Sequence, residues 1–189
     1  MKKGKLIIIS GPSGVGKKTI IDQIYPIKSL NLHQSISMTT RQPRVNEIDG
    51  KDYFFVSKHE FEEKIQNHEF LEYAVYNNNY YGTPKSFVLK TLEEGNNVLL
   101  EIETDGLKKL LNDKINAYKI FIAPPSIDAL KQRLLNRNTD SLQVINERIQ
   151  KAIKELELIH MYDVCIINND LQKAINDVKQ EIQKIINND

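Results

Sequence analysis

Short apolar runs alternate with helical patterns along most of the chain, which is typical of an α/β protein with a parallel sheet. Buried strands are predicted at four such runs, at 6–9, 97–102, 117–123 and 163–167. Helices are predicted at about 17–27, 126–135 and 141–160, and from Asp170 onward, where apolar residues recur on one face. We therefore expect a parallel sheet flanked by helices.

The stretch from about 36 to 82 interrupts this alternation. It is rich in Tyr and Phe, with short β-like runs at 53–56 and 70–76, and a capping box at 57–60 predicts one helix inside it. A helix with Pro84 at its first position follows, to about Glu94. We expect a small mixed β lobe at 36–82, inserted into a core formed by 1–35 and 83–189.

Composition narrows the class of protein. The 189 residues carry 26 basic and 25 acidic side chains, which argues against a broadly basic surface that coats nucleic acid. One cysteine excludes a disulfide framework, and its place in an apolar run predicts that Cys165 packs in the core. No apolar run approaches the ~20 residues of a membrane span, and no signal peptide is recognisable. We expect a cytoplasmic protein without nucleic-acid or membrane partners.

A phosphate-binding motif joins the first strand to the first helix. Gly11, four residues, Gly16 and Lys17 match the P-loop, in which backbone N–H groups and a helix N-terminus surround phosphates and the lysine reaches the outer ones. Lys18 stands where the pattern has a Ser or Thr for Mg²⁺, and Thr19 follows. A dinucleotide fingerprint is disfavoured because Thr19 stands where it requires Gly. The candidate ATP-binding residues here are Gly11, Pro12, Ser13, Gly14, Val15, Gly16, Lys17, Lys18 and Thr19.

Two arginines follow the first helix. Arg41 and Arg44 are three residues apart, and Pro43 stiffens the segment between them. Guanidinium groups suit bidentate contacts to a phosphate, so the pair indicates a second substrate that carries its own phosphate. Taken alone, the pair is equally compatible with two solvated surface arginines.

In combination, these motifs resemble the guanylate kinase family. The resemblance rests on the P-loop, Thr-Thr-Arg-Gln-Pro-Arg at 39–44, Gly-Lys-Asp-Tyr at 50–53, Glu-Phe-Leu-Glu at 69–72 and Tyr-Tyr-Gly at 80–82. It continues through 121–126 and the later arginines to 168–170, and so spans essentially the whole chain. It implies transfer of the γ-phosphoryl group of ATP to GMP, with dGMP also accepted, and Mg²⁺ as the cofactor that accompanies ATP.

The resemblance also implies the acceptor site. Arg41, Arg44, Tyr53 and Tyr81 match positions that hold the GMP phosphate, whereas Ser37, Glu72 and Thr83 match positions that bind guanine. The chemistry agrees, since guanine presents a ring N–H and an amino group side by side to one carboxylate, and adenine has a ring acceptor there. The alternatives are that Glu72 is an exposed acid and that both tyrosines belong to the lobe core.

A lid and a metal region complete the expected site. Arg133, Arg137 and Arg148 belong to a predicted lid at about 133–148 that closes over the triphosphate, unless they pair with helix-face acids. Asn168 is among the implied ATP-binding positions. Glu101 and Glu103 replace the family's two aspartates, and we expect Glu101 toward the guanine and Glu103 toward Mg²⁺ through water. Glu103 is also expected to compensate for Lys18, either at the metal or by pairing with it.

The expected catalytic residues carry positive charge. They are Lys17, Arg41, Arg133, Arg137 and Arg148. No general base is assigned, because the acceptor phosphate is already an anion. Two alternatives remain at this point: a non-catalytic protein-binding module of the same fold, which the Lys18 and glutamate departures favour, and a kinase for another nucleoside monophosphate.

Overall fold

The architecture consists of two sheets with helices around the larger one, in a computed structural model that describes residues 2–76, 78–113, 115–136 and 141–188. The strands in this part of the chain are β1 (Leu6–Ser10), β2 (Leu32–Gln34), β3 (Met38–Thr39), β4 (Phe54–Phe55), β5 (Phe70–Tyr76), β6 (Asn79–Pro84), β7 (Asn97–Glu101), β8 (Tyr118–Ala123) and β9 (Val164–Ile167). The α-helices are α1 (Lys17–Ile24), α2 (Lys58–Gln66), α3 (Lys85–Glu93), α4 (Thr104–Asn112), α5 (Ile127–Leu135), α6 (Leu142–Glu157) and α7 (Leu171–Asn187).

The larger sheet is parallel, with the strand order β2-β7-β1-β8-β9. All five residues of β1 are buried, as expected for a central strand covered by helices on both faces. The four predicted strands are confirmed. The fifth, β2, was not predicted because it is a three-residue edge strand without a continuous apolar run.

The core lies on the two faces of this sheet. Ile7 and Ile9 pack with apolar residues of α1, α5, α6 and α7, whereas Leu6 and Ile8 pack with those of α3 and α4. Successive residues of a strand point to opposite faces, so β1 alone contributes to both clusters. The carboxyl ends of the strands are thereby held in fixed positions relative to one another.

The second sheet is mixed and has the order β4-β3-β6-β5. Its longest pairing is antiparallel, between β5 and β6, and places Glu72 opposite Thr83. Leu71 of β5 joins the core cluster of α3 and α4, which attaches this sheet to the larger one. The sheet extends to Pro84, slightly beyond the predicted lobe end at 82.

The helix starts follow the capping signals. The side chains of Ser57, Ser126 and Asp170 accept hydrogen bonds from backbone N–H groups three residues onward, as predicted for α2, α5 and α7. The predicted place of Pro84 is off by one residue, since it is the N-cap of α3 and not its first helical residue. Helix α1 ends at Ile24, three residues before the predicted end.

The prediction for Cys165 is wrong. Its side chain is exposed, because β9 is an edge strand and only alternate residues, such as Ile166, face the core. No helix in the described ranges combines the length and the apolar character needed to cross a membrane.

Candidate active site

A cleft of about 560 Å³ lies between the carboxyl ends of β1 and β7 and the second sheet. Carboxyl ends of parallel strands are the usual ligand side of an α/β sheet. The cleft is lined on one side by residues of the P-loop and on the other by Ser37, Tyr53, Glu72 and Tyr81. The structure therefore brings the two predicted halves of the site to a single cavity.

The loop after β1 has the backbone of an anion cup. Gly11, Gly14 and Gly16 all have positive φ, at 145°, 89° and 99°. At Gly16 a Cβ atom would also lie 2.7 Å from Nδ2 of Asn168, so glycine is required both for the backbone and for space. Helix α1 begins at the next residue, so its N-terminus faces the same loop.

Lys17 is folded against this loop. Its ammonium group donates hydrogen bonds to the carbonyls of Gly11 at 2.6 Å and Pro12 at 3.2 Å, and lies 3.7 Å from Oε1 of Glu101. Burial lowers the pKa of Lys17, while nearby carboxylates, Glu101 foremost, oppose that shift. The cation is thus held, largely desolvated, where the phosphates of a P-loop ligand would lie.

Lys18 and Thr19 both line the cleft, in the first turn of α1. The Lys18 ammonium pairs with Asp22 at 3.2 Å, and its side chain is mostly exposed. The expected Lys18–Glu103 pair is therefore not the arrangement found, since Glu103 instead bonds Lys151 of α6 at 2.7 Å. Thr19 is the residue of this helix turn that both lines the cleft and carries a hydroxyl group.

Asn168 supports the loop from behind. It is buried, and its Nδ2 donates to the carbonyl of Val15 at 2.8 Å. The backbone carbonyl of Asn168 accepts a hydrogen bond from the guanidinium group of Arg133 at 2.8 Å. Two residues predicted to bind or act on ATP are therefore joined to each other and to the P-loop backbone, rather than lining the cleft.

Glu72 lines the cleft on the side of the second sheet, opposite the P-loop. The residue is 7% exposed, and its Oε1 accepts a hydrogen bond from the Thr83 hydroxyl at 2.6 Å across the β5–β6 pair. Burial raises the pKa of Glu72, and the Thr83 bond and the charge of Lys109 counteract that rise. A buried carboxylate with one fixed oxygen is suited to accept paired N–H donors from a ligand.

The first turn of α4 sets the position of that carboxylate. A Cβ atom on Gly106 would lie 2.7 Å from Oε2 of Glu72, closer than such atoms approach in proteins. Any residue with a Cβ at position 106 would therefore displace the Glu72 carboxylate from its present position. Gly106 also lines the cleft, although sequence reasoning gave it no role in the site.

Arg41 is held by several groups at once. One terminal nitrogen donates to both carboxylate oxygens of Glu47 at 2.9 Å, and the other donates to the carbonyl of Gln42 at 2.7 Å. The guanidinium carbon lies 5.5 Å from the ring centre of Tyr53, and burial, which lowers the pKa of Arg41, is outweighed by its hydrogen bonds to Glu47. Arg41 is thus fixed beside Tyr53, which lines the cleft.

The other residues predicted to bind the acceptor phosphate or the base include Tyr81, Ser37 and Arg44. Tyr53 and Tyr81 make an edge-to-face contact with ring centres 6.1 Å apart. Ser37 lines the cleft, and its carbonyl accepts from the N–H of Phe54 at 2.9 Å. Arg44 is exposed in the following turn.

Helix α6 forms the last wall. Arg148, Lys151 and Glu155 line the cleft, and Arg148 donates to the Ser13 hydroxyl at 3.3 Å. Sequence reasoning named Arg148 as a site residue but not Lys151 or Glu155. Their spacing of three and seven residues along one helix was a signal that all three share a face. The predicted lid residue Arg137 lies outside the described residues.

No preformed metal cluster is found among the described residues, when groups of three or more His, Cys, Asp or Glu side chains are considered. Glu101 and Glu103 nevertheless both line the cleft beside the P-loop. Carboxylate oxygens are ligands that Mg²⁺ prefers, usually together with water and substrate phosphates. The donor set therefore fits a metal that arrives with a phosphate ligand.

Comparisons with known proteins agree with one another. A family model described as guanylate kinase matches residues 3–185. The curated guanylate kinase of Mycoplasmoides gallisepticum is 48% identical over 183 residues, which cover 97% of this chain and 94% of that protein. The solved guanylate kinase of Anaplasma phagocytophilum is similar with a TM-score of 0.75 and 28% identity, covering 100% of this chain and 89% of that one. An uncharacterized protein from Eubacterium ventriosum, at a TM-score of 0.50 and 16% identity over 96% of this chain and 99% of that one, shares the fold.

Proposed function

The chain belongs to the guanylate kinase family and is an ATP-dependent nucleoside monophosphate kinase; from that premise we propose how its cleft transfers the γ-phosphoryl group of ATP to GMP. The observation that carries the proposal is the cleft itself. It places Lys17 of the P-loop and the buried carboxylate of Glu72 on the walls of one cavity of about 560 Å³. The products are ADP and GDP.

On the donor side, the P-loop binds the ATP phosphates through its N–H groups and the N-terminus of α1. Lys17 exchanges the carbonyls of Gly11 and Pro12, its partners at 2.6 and 3.2 Å, for the outer phosphates. A phosphate is a stronger partner for an ammonium group than a neutral carbonyl, so this exchange is favourable. Arg148, bonded to Ser13 of the loop, adds positive charge near the same phosphates.

On the acceptor side, guanine lies with its ring N–H and amino group toward Glu72. The Thr83 bond fixes one carboxylate oxygen, and Gly106 leaves room for the other. Adenine would bring a ring nitrogen lone pair against the carboxylate, which leaves buried polar groups unpaired. Ser37 and Glu101 lie on the same cleft and contribute further polar contacts to the base.

The GMP phosphate is bound by Arg41, Arg44, Tyr53 and Tyr81. Arg41 packs against Tyr53, which in turn contacts Tyr81, and both tyrosines line the cleft. This arrangement directs the acceptor phosphate toward the P-loop, where the transferred group lies. Positioning and charge neutralisation supply most of the catalysis of phosphoryl transfer, so no general base is assigned.

Lid residues complete the reaction site when it closes. Arg133, Arg137 and Arg148 belong to a lid at about 133–148, and closure around both nucleotides excludes water that would otherwise hydrolyse ATP. Arg133 acts through the carbonyl of Asn168, its partner at 2.8 Å, which ties the lid to the P-loop. The core spans 1–35 and 83–189, and the GMP-binding lobe spans 36–82.

Mg²⁺ accompanies ATP. When bound, it neutralises phosphate charge. Thr19, Glu101 and Glu103 line the cleft and would supply oxygen donors for the metal, with Glu103 acting through water in place of its present partner Lys151. The remaining substrate expectations, including acceptance of dGMP, stay predictions, as do the cytoplasmic location and the absence of nucleic-acid and membrane partners.

A coupled assay of ADP release tests the proposal. We expect GMP to be the best acceptor in a panel with dGMP, AMP, UMP and dTMP, and we expect EDTA to abolish turnover. Lys17→Met should lower kcat by about 10²–10³-fold, which is the usual effect of removing one donor that stabilises a transition-state charge. A preference for AMP would overturn the guanine pocket, and no ADP release with any acceptor would overturn the catalytic assignment.

A further inference from the structure

Glu47 makes several contacts although it has no direct role in the phosphoryl transfer. It lies in the loop between β3 and β4, and its side chain is only 19% exposed although the residues around it are mostly exposed. Both of its carboxylate oxygens accept from one terminal nitrogen of Arg41 at 2.9 Å. A half-buried carboxylate bound to a substrate-binding arginine requires a structural reason.

The same carboxylate also holds the backbone of Arg44. Its Oε2 accepts from the N–H of Arg44 at 2.7 Å, while the N–H of Glu47 donates to the carbonyl of Arg44 at 3.1 Å. The tight turn between them places Asn46 in the left-handed region at φ 73°, which Asn tolerates better than most residues. These hydrogen bonds hold the pKa of Glu47 below its usual range, with the Arg44 N–H as the largest cause.

Arg41 retains donors for a phosphate under this restraint. A guanidinium group has five N–H donors. Glu47 occupies one terminal nitrogen, and the carbonyl of Gln42 takes one donor of the other. The other nitrogens of the group still carry N–H donors, on a side chain that is already fixed and packed against Tyr53 and Phe55.

We propose that Glu47 is a positioning residue for the acceptor phosphate, which fixes the Arg41 guanidinium and joins it to the Arg44 backbone so that both arginines meet one phosphate. The proposal rests on the function assigned above to this arginine pair. Holding a flexible arginine in place before binding reduces the entropy lost when the phosphate arrives. Glu47 thus acts on binding through Arg41 and does not itself contact the nucleotide.

The test compares Glu47→Gln with wild type and with Glu69→Gln. Glu69 pairs with Lys64 at 3.0 Å in the same part of the chain, away from the cleft, and so provides a matched loss of one paired carboxylate. We expect Glu47→Gln to raise the KM for GMP roughly tenfold, which corresponds to the ~1.4 kcal/mol at the upper end of the cost of immobilising one flexible side chain, with the KM for ATP unchanged. Glu69→Gln should leave both constants at wild-type values.

Guanosine separates positioning from general damage, because it has the base but no phosphate. Inhibition by guanosine should be equal in wild type and Glu47→Gln, while the affinity for GMP falls. In an Arg41→Ala background, Glu47→Gln should have no further effect on GMP. Equal losses for guanosine and GMP, additive effects with Arg41→Ala, or a lowered KM for GMP would each overturn the proposal. A wild-type protein without activity on GMP would instead contradict the proposed function.

Discussion

Replacing Glu72 with glutamine changes the predicted guanine contact with little change in shape. The carboxylate accepts one hydrogen bond from Thr83 at 2.6 Å and the residue is 7% exposed, so water cannot replace a lost partner. The amide of glutamine keeps one acceptor but brings an N–H donor where guanine also presents donors. The variant loses one charge-assisted hydrogen bond between the carboxylate and guanine, and the glutamine N–H faces an N–H group of the guanine.

The size of the effect follows from that loss. Hydrogen bonds to charged groups contribute about 1.5–3 kcal/mol. Since about 1.4 kcal/mol is a factor of ten, kcat/KM for GMP should fall roughly 10- to 150-fold. The KM for ATP should not change, because ATP binds at the other end of the cleft. Activity with AMP should rise relative to GMP, since an amide N–H can donate to the adenine ring nitrogen.

The assay is ADP release with GMP or AMP as the varied substrate, for wild type, Glu72→Gln and the control Glu69→Gln. The control removes an ion-paired carboxylate that does not line the cleft. A folded Glu72→Gln protein with the wild-type kcat/KM for GMP, or with equal losses for GMP and AMP, would refute the assignment of Glu72 to the guanine.

Four further predictions follow from single contacts. Gly106→Ala should raise the KM for GMP roughly tenfold without affecting the KM for ATP. The reason is that the new Cβ would lie 2.7 Å from Oε2 of Glu72 and displace the carboxylate. Steady-state kinetics with each substrate varied in turn would measure both KM values. Burial raises the pKa of Glu72 above its ordinary value of 4.5, so the folded protein binds this proton more tightly than the unfolded chain does. The free energy of unfolding therefore falls as the pH rises from the unfolded-state pKa through the folded-state pKa. Glu72→Gln should melt at a higher temperature than wild type at pH 7, and a lower melting temperature would contradict the direction of this pKa shift. Lys17→Met should remain folded while kcat falls, since burial already disfavours the Lys17 cation; urea unfolding beside the kinetic assay separates the two effects. Asn168→Ala should cost about 1–3 kcal/mol of unfolding free energy and raise the KM for ATP, because the buried Val15 carbonyl loses its partner at 2.8 Å; unchanged urea unfolding would show that the bond is dispensable.

The part of the fold that could be predicted from sequence depends on local signals. The strand, glycine loop and helix of the P-loop are adjacent in sequence, and Ser57, Ser126 and Asp170 mark helix starts within four residues. The exposure of Cys165 could not be read in this way, because it depends on which strand lies at the sheet edge. That order is set by contacts between distant segments.

The candidate site shows the same division. Sequence motifs named Lys17, Glu72 and the arginines because each residue type suits its chemistry. The partners that position them, such as Glu47 for Arg41 and Gly106 for Glu72, have no chemical signature of their own and are recognised only from distances. The pairing of Glu103 with Lys151 rather than Lys18 likewise depends on how close α6 lies to the N-terminus of α4, which Glu103 caps.

The central claim is that one cleft binds two nucleotides end to end, with guanine at Glu72 and the triphosphate at the P-loop. A crystal structure with GMP and a non-hydrolysable ATP analogue tests it most directly. We predict the guanine edge within hydrogen-bond distance of the Glu72 carboxylate, the GMP phosphate on Arg41 and Arg44, and the terminal phosphate of the analogue on Lys17. A guanine base bound away from Glu72, or a GMP phosphate directed away from Lys17, would contradict the account.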